Sequence, residues 1–292
     1  MISFLLNCCF FFCYNITKEG RDMKTVVITG SARGFGLAMI KEFYKNNFNV
    51  VLCDISKEAL LKAEEEIKEM NYKGKILLFE ADITKEEDVN RLINKTLEEV
   101  KTIDIWINNA GVNQPNKAVW ELDKITIDRL IDIDLKGTIL CSKLIMPIMI
   151  KQKNGQIFNV EGHGSNDAKI FGLSLYGTAK RAVTYFTEAL AYEAEQKETN
   201  VLVGKITPGI MITNFISTAL GDGEKIELDE KTKNIYNILG DYPETIAKFM
   251  VKKILKNDKN NVKFIWLTNG RAAWRFITSK KNKRNFFEEQ SE

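Results

Sequence analysis

The chain has 292 residues, of which 45% are hydrophobic and 28% are charged. This composition is that of an ordinary globular protein with room for one large domain or two small ones. The formal net charge of +3 is small for this length, so nothing indicates a nucleic-acid-binding protein. His163 is the only histidine and the five cysteines form no metal-spaced motif. We therefore expect no metal site, and reduced thiols in the cytoplasm.

The first 23 residues form an N-terminal extension that we expect to be disordered. Residues 2–12 are mostly apolar and aromatic, but they lack a preceding basic residue and a small-residue cleavage site. They therefore make a poor secretory signal. The run is also too short to cross a bilayer as a helix. A membrane-touching anchor is the less favoured alternative.

A strand, a glycine-rich turn and a helix open the working domain. Residues 24–29 are a short β-branched run, and an amphipathic helical pattern begins at Leu37. Between them lies Thr29-Gly30-Ser-Ala-Arg-Gly34-Phe-Gly36. Such glycines allow a tight turn and a close approach of the backbone to a pyrophosphate, which rests on the helix N-terminus. The alternative is a glycine-rich connection without a ligand.

Asp54 ends the second predicted strand, residues 49–54. A carboxylate here can accept hydrogen bonds from the adenosine ribose hydroxyls and repel a 2′-phosphate, which favours NAD over NADP. Arg33 indicates the opposite, because a guanidinium can pair with a phosphate. We give Asp54 more weight, since an arginine can turn into solvent whereas a like-charge contact is a direct penalty. The alternative role of Asp54 is a helix N-cap ahead of Ser56.

Strands and helices alternate through the rest of the chain. Further strands are predicted at residues 75–80, 103–107, 156–160, 201–207 and 262–267, and helices at 57–70, 85–100, 125–151, 176–198 and 243–256. The long helix is expected to be interrupted at Gly137 and Pro147. This alternation predicts an α/β fold, namely a single-domain, doubly wound parallel sheet of the Rossmann type with about seven strands and helices on both faces.

Two stretches near the C-terminus are less regular. Residues 214–240 are polar, glycine-containing and weakly patterned, which suits a mobile lid over a substrate. We assign residues 24–270 to a dinucleotide-binding catalytic domain and 271–292 to a basic, aromatic tail. The tail can lie on a membrane surface, cover a partner subunit, or be a solvated end whose aromatic residues pack back on the sheet. We favour the last.

Tyr176 and Lys180 lie four residues apart at the start of a long helical pattern, and so on one helix face. A phenol with an ordinary pKa of about 10 is a poor acid or base near neutrality. A neighbouring ammonium stabilises the phenolate and lowers that pKa. The pair is therefore a candidate for transferring one proton, although the spacing alone is common on solvated helix faces.

These motifs together resemble the short-chain dehydrogenase/reductase family. The resemblance covers roughly residues 24–213, and within the family residues 157–165 and the long tail are similar to the branch that contains chlorophyll b reductases. It implies that Tyr176 exchanges a proton with the substrate oxygen while Lys180 lowers its pKa and holds the nicotinamide ribose. The matching elements, in the family's order, are Thr29-Gly30-x-x-x-Gly34-x-Gly36, Asp82, Asn108-Asn-Ala-Gly111, Tyr176-x-x-x-Lys180 and Pro208-Gly209.

The chain departs from the family pattern at two catalytic positions. No serine occupies the usual place in Asn159-Val-Glu161-Gly162, so Ser165 is our candidate for binding the substrate oxygen, as in the similar branch. His163 is the alternative, and it would add its own pH dependence. Asp134 stands where the family has an asparagine that holds a water in the proton relay. An aspartate could accept from the same water, but its charge would change the energetics of the relay.

The resemblance also implies a nucleotide site and a homodimer or homotetramer, and Asp54 favours NAD over NADP in that site. The predicted catalytic residues are Tyr176, Lys180, Ser165 and Asp134. The predicted cofactor-binding residues are Gly30, Ser31, Arg33, Gly34, Phe35, Gly36, Asp54, Asp82, Ile83, Asn109, Ala110, Gly111, Tyr176, Lys180, Pro208, Gly209, Ile210 and Thr213.

The predicted reaction interconverts a secondary alcohol and a ketone on a bulky apolar substrate. Apolar residues around the site favour a steroid or bile-acid-like ring system. They are Phe171, Leu173, Leu175, Ile210, Met211, Ile212 and Phe215. Two alternatives stay open. One is a reductase of a pigment-like aldehyde. The other is a non-catalytic NAD-binding sensor or scaffold, which the missing serine and the changed asparagine would suit.

Overall fold

The computed structural model describes residues 23–213, 229–282 and 284–287. Nearly all of the predicted extension, residues 1–22, and the first part of the predicted lid, residues 214–228, lie outside these ranges. The seven strands of the described chain form one sheet. They are β1 (Thr25–Thr29), β2 (Asn49–Asp54), β3 (Ile76–Glu80), β4 (Ile105–Asn108), β5 (Gly155–Val160), β6 (Val201–Thr207) and β7 (Val262–Ile265).

Every strand pairing is parallel, in the order β3-β2-β1-β4-β5-β6-β7. Helices cover both faces, as the sequence predicts, so the doubly wound α/β fold is confirmed. The α-helices are α1 (Gly34–Lys45), α2 (Lys57–Lys68), α3 (Glu86–Val100), α4 (Lys124–Leu130), α5 (Thr138–Gln152), α6 (Ser174–Gln196), α7 (Glu230–Leu239), α8 (Pro243–Ile254) and α9 (Asn269–Thr278).

The two faces of the sheet carry separate hydrophobic clusters. Alternate residues of a strand point to opposite faces, so Val26 and Ile28 pack with α1, α2 and α8, whereas Val27 packs with α3, α5 and α6. Because both faces are covered, the inner strands are apolar in nearly every position, as is usual for parallel sheets. This explains why the strands are recognisable as short continuous apolar runs.

The sheet reverses its winding direction between β1 and β4. The chain moves outward from β1 through β2 to β3 and returns to β4 on the other side of β1, and such a reversal opens a crevice at the carboxyl ends of the strands. Thr29 holds the two ends together, because its Oγ1 accepts hydrogen bonds from the amides of Asn109 (3.0 Å) and Ala110 (3.1 Å).

The predicted helix 125–151 is divided differently from our expectation. Helix α4 continues into a π-helical segment, Ile131–Gly137, which then continues into α5. Gly137 packs so closely on Ile83 that a Cβ there would lie 2.7 Å from the isoleucine Cδ1. Pro147 lies inside α5 and does not interrupt it, so that part of the prediction is wrong. The π-helical segment carries Asp134, and π-bulges inside helices are often found at functional sites.

The last part of the predicted lid is an ordered helix. Residues 230–239 form α7, whose N-terminus is capped by Asp229 Oδ1 accepting from the Thr232 amide (2.7 Å). The tail then starts inside another helix, α9, which begins at Asn269. Of the tail's aromatic rings, Phe286 is buried and packs edge-on against Tyr242, with 5.0 Å between centroids. The favoured expectation that aromatic residues pack back therefore fits Phe286 but is wrong for Trp274 and Phe276, which are exposed.

Candidate functional site

Tyr176 and Lys180 lie in the first two turns of α6, on one face of the helix as the sequence predicts. Both side chains are buried. The Lys180 Nζ lies 5.6 Å from the centroid of the Tyr176 ring, within the range of a cation–π contact. The pair thus faces the interior beneath the carboxyl edge of the sheet rather than solvent, which separates it from a chance Tyr-x-x-x-Lys on an exposed helix.

Gln114 positions the start of this helix, and the sequence analysis missed it. Its Oε1 accepts from the Tyr176 amide (2.8 Å), one of the amides that a helix N-terminus leaves without an intrahelical partner. Its Nε2 donates to the carbonyl of Gly172. The fully buried amide therefore fastens the loop after β4 to the N-terminus of α6. No periodicity marks such a residue; its only signal is its place three residues after Gly111.

Asp134 forms a buried ion pair with Lys180. The distance from Lys180 Nζ to Asp134 Oδ2 is 2.9 Å, and the two side chains are 7% and 0% exposed. The amide of Val112 donates to the other carboxylate oxygen (2.8 Å). A Cβ on Gly111 would lie 3.1 Å from Asp134 Oδ2 and 3.3 Å from Lys180 Nζ, so only a glycine leaves the pair this much room.

The electrostatics of these three groups differ from the expectation based on Lys180 alone. Burial raises the pKa of Tyr176 above its ordinary value; the Lys180 ammonium lowers it, and the Asp134 carboxylate raises it again. Burial would lower the pKa of Lys180, but Asp134 and Tyr176 together raise it. Burial also raises the pKa of Asp134, against the opposing effect of Lys180. The predicted sign of the lysine effect is right, yet the net direction for the phenol is upward.

Gly162 is the residue that approaches the Tyr176 hydroxyl. A Cβ built on it would lie 2.2 Å from the phenol oxygen and 3.1 Å from Lys180 Cγ. No side chain other than hydrogen fits there without displacing the tyrosine. The departure Glu161-Gly162 from the family's serines thus places bare backbone at the hydroxyl.

Glu161 explains the other half of this departure. Its carboxylate is fully buried and accepts hydrogen bonds from the hydroxyls of Thr184 (2.8 Å) and Thr207 (2.6 Å). Lys263 on β7 pairs with the same carboxylate at 2.8 Å. The residue therefore links the ends of β5, β6 and β7 to α6 and fixes the backbone that leads into Gly162. Sequence reasoning noticed the missing serine but not what the glutamate does.

Ser165 lies under this turn and its hydroxyl bonds to the backbone. Its Oγ accepts from the Gly162 amide (3.3 Å) and donates to the Lys180 carbonyl (3.4 Å). It thereby holds Gly162 against α6, and its predicted contact with the substrate oxygen stays a prediction. The ring of the alternative, His163, is half-buried, and its Nε2 has no hydrogen-bond partner among the described residues. Burial lowers the pKa of His163.

The glycine-rich turn has the shape expected of an anion-binding loop. Gly30 and Gly34 have φ angles of +60° and +58°, which L side chains rarely adopt. A Cβ on Gly30 would lie 2.7 Å from Ala110 Cα, and one on Gly36 2.5 Å from the Gly30 carbonyl oxygen. Helix α1 has no side-chain cap and no acidic residue in its first turn. Its free amides and positive dipole end therefore suit a pyrophosphate.

Some predicted cofactor residues of this turn use their side chains elsewhere. The Ser31 hydroxyl donates to the Ile28 carbonyl (2.7 Å) and accepts from the Cys53 amide (3.1 Å). The Phe35 ring lies in the core on the α1 face. The Asn109 side chain donates to the carbonyls of Thr29 (3.0 Å) and Gly30 (2.9 Å). These side chains shape the turn.

Asp54 lies directly beside the turn. Its Oδ2 accepts from the Ala32 amide (3.3 Å), and its Oδ1 accepts from the Ser56 amide (3.2 Å). The N-cap of α2 is Ser56, not Asp54, so the alternative that we considered for this aspartate is wrong. Arg33 is exposed at the mouth of the turn. Asp54 and Arg33 thus lie at the same turn with opposite charges.

The remaining predicted cofactor residues border the same crevice or support it. Asp82 Oδ1 accepts from the amide (3.0 Å) and hydroxyl (2.7 Å) of Thr84, while Ile83 is buried against Gly137. After β6, Pro208 is buried and Gly209 has a φ of +78°. Thr213 is the last described residue before 229, and its Cγ2 comes within 3.9 Å of a Cβ built on Gly34.

The apolar residues expected around the substrate do not form one continuous patch. Phe171 is exposed, whereas Leu175 packs with Tyr176 and Ala179 in a small cluster, and Met211 packs against the α1-side core. Leu173, Ile210 and Ile212 are half-buried. Phe215 lies outside the described residues.

Comparison with known proteins identifies the family. The short chain dehydrogenase profile matches residues 24–222. The chain is 28% identical over 283 residues to the Oryza sativa subsp. japonica protein named "Probable chlorophyll(ide) b reductase NYC1, chloroplastic", covering 91% of this chain and 54% of that protein. It is 31% identical over 232 residues to the Arabidopsis thaliana "Chlorophyll(ide) b reductase NOL, chloroplastic", covering 78% and 64%. The chain thus spans only about half to two thirds of these relatives.

Solved structures agree on the fold. The crystal structure of levodione reductase superimposes with a TM-score of 0.75 at 24% identity, covering 87% of this chain and 99% of that one. Other solved neighbours were crystallised with NADH, NADP or NAD+. The predicted resemblance, including that to the branch with chlorophyll b reductases, is confirmed. The chain belongs to the short-chain dehydrogenase family of oxidoreductases.

Proposed function

We propose that this protein catalyses the reversible reduction of a ketone or aldehyde on a bulky, mainly apolar molecule. The observation that carries the proposal is the arrangement around the Tyr176 hydroxyl. A buried phenol lies beside the ammonium of Lys180 and against the bare backbone of Gly162. The crevice at the carboxyl ends of β1 and β4 lies on the same edge of the sheet, which suits a nucleotide whose ring reaches the tyrosine.

Residues of this chain would bind the nucleotide, orient the substrate and protonate its carbonyl oxygen. The Gly30–Gly36 turn and the N-terminus of α1 would hold the pyrophosphate, and Asp54 the adenosine ribose. The chemistry that a reduced nicotinamide would supply when bound there is a hydride for the carbonyl carbon. Tyr176 gives its phenolic proton to the carbonyl oxygen, which becomes the hydroxyl of the alcohol. Lys180 stabilises the phenolate that remains.

The raised pKa of Tyr176 suits the reduction direction. Burial and the Asp134 carboxylate both disfavour the phenolate, so the tyrosine is protonated at neutral pH and ready to donate. An alcohol oxidation needs the opposite state, with the phenolate as base. This direction of the pKa shift supports our proposal of carbonyl reduction near neutrality.

The substrate proposal has two ring classes as candidates. The names of the plant relatives favour a pigment-like carbonyl over the steroid or bile-acid-like ketone of our sequence analysis. The exposed ring of Phe171 and the half-buried Leu175, both close in sequence to Tyr176, would suit either. A panel of carbonyl compounds of both classes, followed by loss of NADH or NADPH absorbance, distinguishes them. The sensor alternative predicts no turnover of any member.

Tyr176→Phe removes only the phenolic oxygen. We expect turnover to fall by about 10²–10⁴-fold, the usual contribution of a general acid, while nucleotide binding measured by fluorescence titration is kept. Tyr185→Phe on the exposed side of the same helix is the matched control and should retain activity. Unchanged turnover in Tyr176→Phe would refute the assignment of the proton donor.

Gly162→Ala places a methyl group 2.2 Å from the Tyr176 oxygen. Since the tyrosine has to move, we expect kcat to fall by about tenfold or more, together with a lower thermal unfolding midpoint, because a methyl group forced into a packed site is destabilising. The control is Gly270→Ala, where a Cβ meets no atom within 4 Å. If Gly162→Ala is as active as the control, Gly162 does not set the position of the hydroxyl.

Asp134→Asn removes a negative charge that raises the pKa of Tyr176, so that pKa should fall. In the oxidation direction the phenolate is the active form, and the rising limb of kcat/KM against pH should shift to lower pH. In the reduction direction the phenol is the active form, and the decline of kcat/KM at high pH should begin at a lower pH than in the unaltered chain. Asp132→Asn, on the same segment and paired with Lys136 at 2.6 Å, should leave both limbs in place. If the pH profiles of Asp134→Asn and the unaltered chain coincide, the charge of Asp134 does not influence the pKa of Tyr176.

Asp54→Ala tests the proposed preference for NAD. Removing the carboxylate beside the glycine-rich turn takes away a repulsion of a 2′-phosphate on the order of 1–2 kcal/mol. The ratio of kcat/KM for NAD to that for NADP should therefore fall by about tenfold. Arg33→Ala should change the ratio in the opposite direction. An unaltered ratio in both variants would mean that neither side chain meets the adenosine ribose.

A further inference from the structure

Helix α9 is amphipathic, but its apolar side faces solvent. Trp274, Phe276 and Ile277 are 66%, 50% and 76% exposed, and we call these three residues the outer face of α9. The side chains directed at the body of the protein are instead those of Arg271 and Arg275, which are half-buried. A helix on a globular core normally buries its apolar stripe. The reversal therefore requires a reason.

Contacts of the arginines with α7 explain why the basic side of α9 faces the protein. Arg275 donates to the carbonyl of Leu239 (2.8 Å) and pairs with Asp241 (2.6 Å). Arg284 donates to the carbonyl of Gly240 (3.0 Å). These carbonyls lie at the C-terminus of α7, where a helix leaves acceptors unpaired and favours cations. The arginine side of α9 is thus bound to α7 and cannot turn outward without losing several charge-assisted hydrogen bonds.

Arg271 fixes the helix at its other end. Its guanidinium stacks 3.8 Å from the centroid of the Trp266 ring and donates to the Trp266 carbonyl (2.6 Å). Thr268 caps the helix by accepting from the Arg271 amide (3.2 Å). The orientation of α9 is therefore determined at both ends, and the outer face is left exposed by the residues that the structure describes.

The charge around the outer face indicates what covers it. Lys280 and Lys281 follow directly and are exposed, and residues 269–287 contain no aspartate or glutamate. A tryptophan and an isoleucine one turn apart, bordered by lysines, match the interfacial region of a bilayer, where aromatic rings lie at the headgroups and cations meet anionic lipids. We propose that the outer face of α9 docks this protein on an anionic lipid surface.

The docking would be peripheral. No helix within the described ranges is both long and apolar enough to cross a bilayer. A second copy of the chain is the main competing occupant. It would have to bring acidic side chains opposite Lys280 and Lys281, and α9 itself supplies none. A twofold contact of α9 with its own copy would therefore bring like charges together.

The test is co-sedimentation of the full chain with vesicles. We expect binding to vesicles that contain phosphatidylserine and weaker binding to pure phosphatidylcholine, with a salt-dependent difference. Trp274→Ser/Ile277→Ser should weaken binding by about tenfold or more, because it removes most of the inserted apolar area. Lys280→Gln/Lys281→Gln should weaken binding to the anionic vesicles by about tenfold or more while leaving the phosphatidylcholine value unchanged.

The matched control is Trp120→Ser/Ile125→Ser, which removes a tryptophan and an isoleucine that are 82% and 78% exposed elsewhere on the surface. It should bind vesicles like the unaltered chain. Three results overturn the proposal: no vesicle binding, equal loss in the control, or equal affinity for both lipid mixtures. A fourth is a sedimentation-velocity shift towards monomer in Trp274→Ser/Ile277→Ser with unchanged vesicle binding, which would make the outer face a contact between copies.

Discussion

Two buried charges of opposite sign hold the candidate catalytic face together. Lys180 comes from α6 and Asp134 from the π-helical segment, 2.9 Å apart and almost fully shielded from solvent. Desolvating both ions costs several kcal/mol each, and their attraction offsets this only when the geometry is good and the remaining lone pairs are satisfied. The Val112 amide donates to Oδ1, whereas Oδ2 has only its ion-pair contact with Lys180 among the described residues. The loop after β4, the π-helical segment and α6 therefore depend on one another for their positions.

The same pair determines what kind of acid the tyrosine is. An asparagine at position 134 would leave the ammonium of Lys180 uncompensated, and its full charge would stabilise the phenolate. With a carboxylate there, the charge of the lysine is compensated, and burial together with Asp134 raises the pKa of Tyr176. Asp134 thus changes the chemistry of Tyr176 without touching a substrate, whereas Gly162 and Glu161 determine where its hydroxyl lies. Charge and position are controlled from different elements.

Most of the fold follows from local patterns. Each strand is a short apolar run, and most helices show apolar residues at helical spacing. Because strands and helices alternate along the chain, few sheet topologies are possible. The Gly30–Gly36 turn and the Tyr176/Lys180 pair could be recognised because their chemistry depends on neighbours in sequence. Glu161 and Gln114 could not, since their roles depend on Thr184, Thr207, Lys263 and Gly172, between 23 and 102 positions away from the residue they contact.

Helix α9 shows a different kind of limit. Its sequence plainly has an apolar and a basic side, and a sequence argument would bury the apolar one. The basic side turns inward because the carbonyls at the end of α7 and the carboxylate of Asp241 need partners at that place. Arginine can meet that need while its long stem covers apolar surface. Amphipathicity therefore defines two faces, and the unsatisfied groups of the neighbouring element decide which of them remains for a partner.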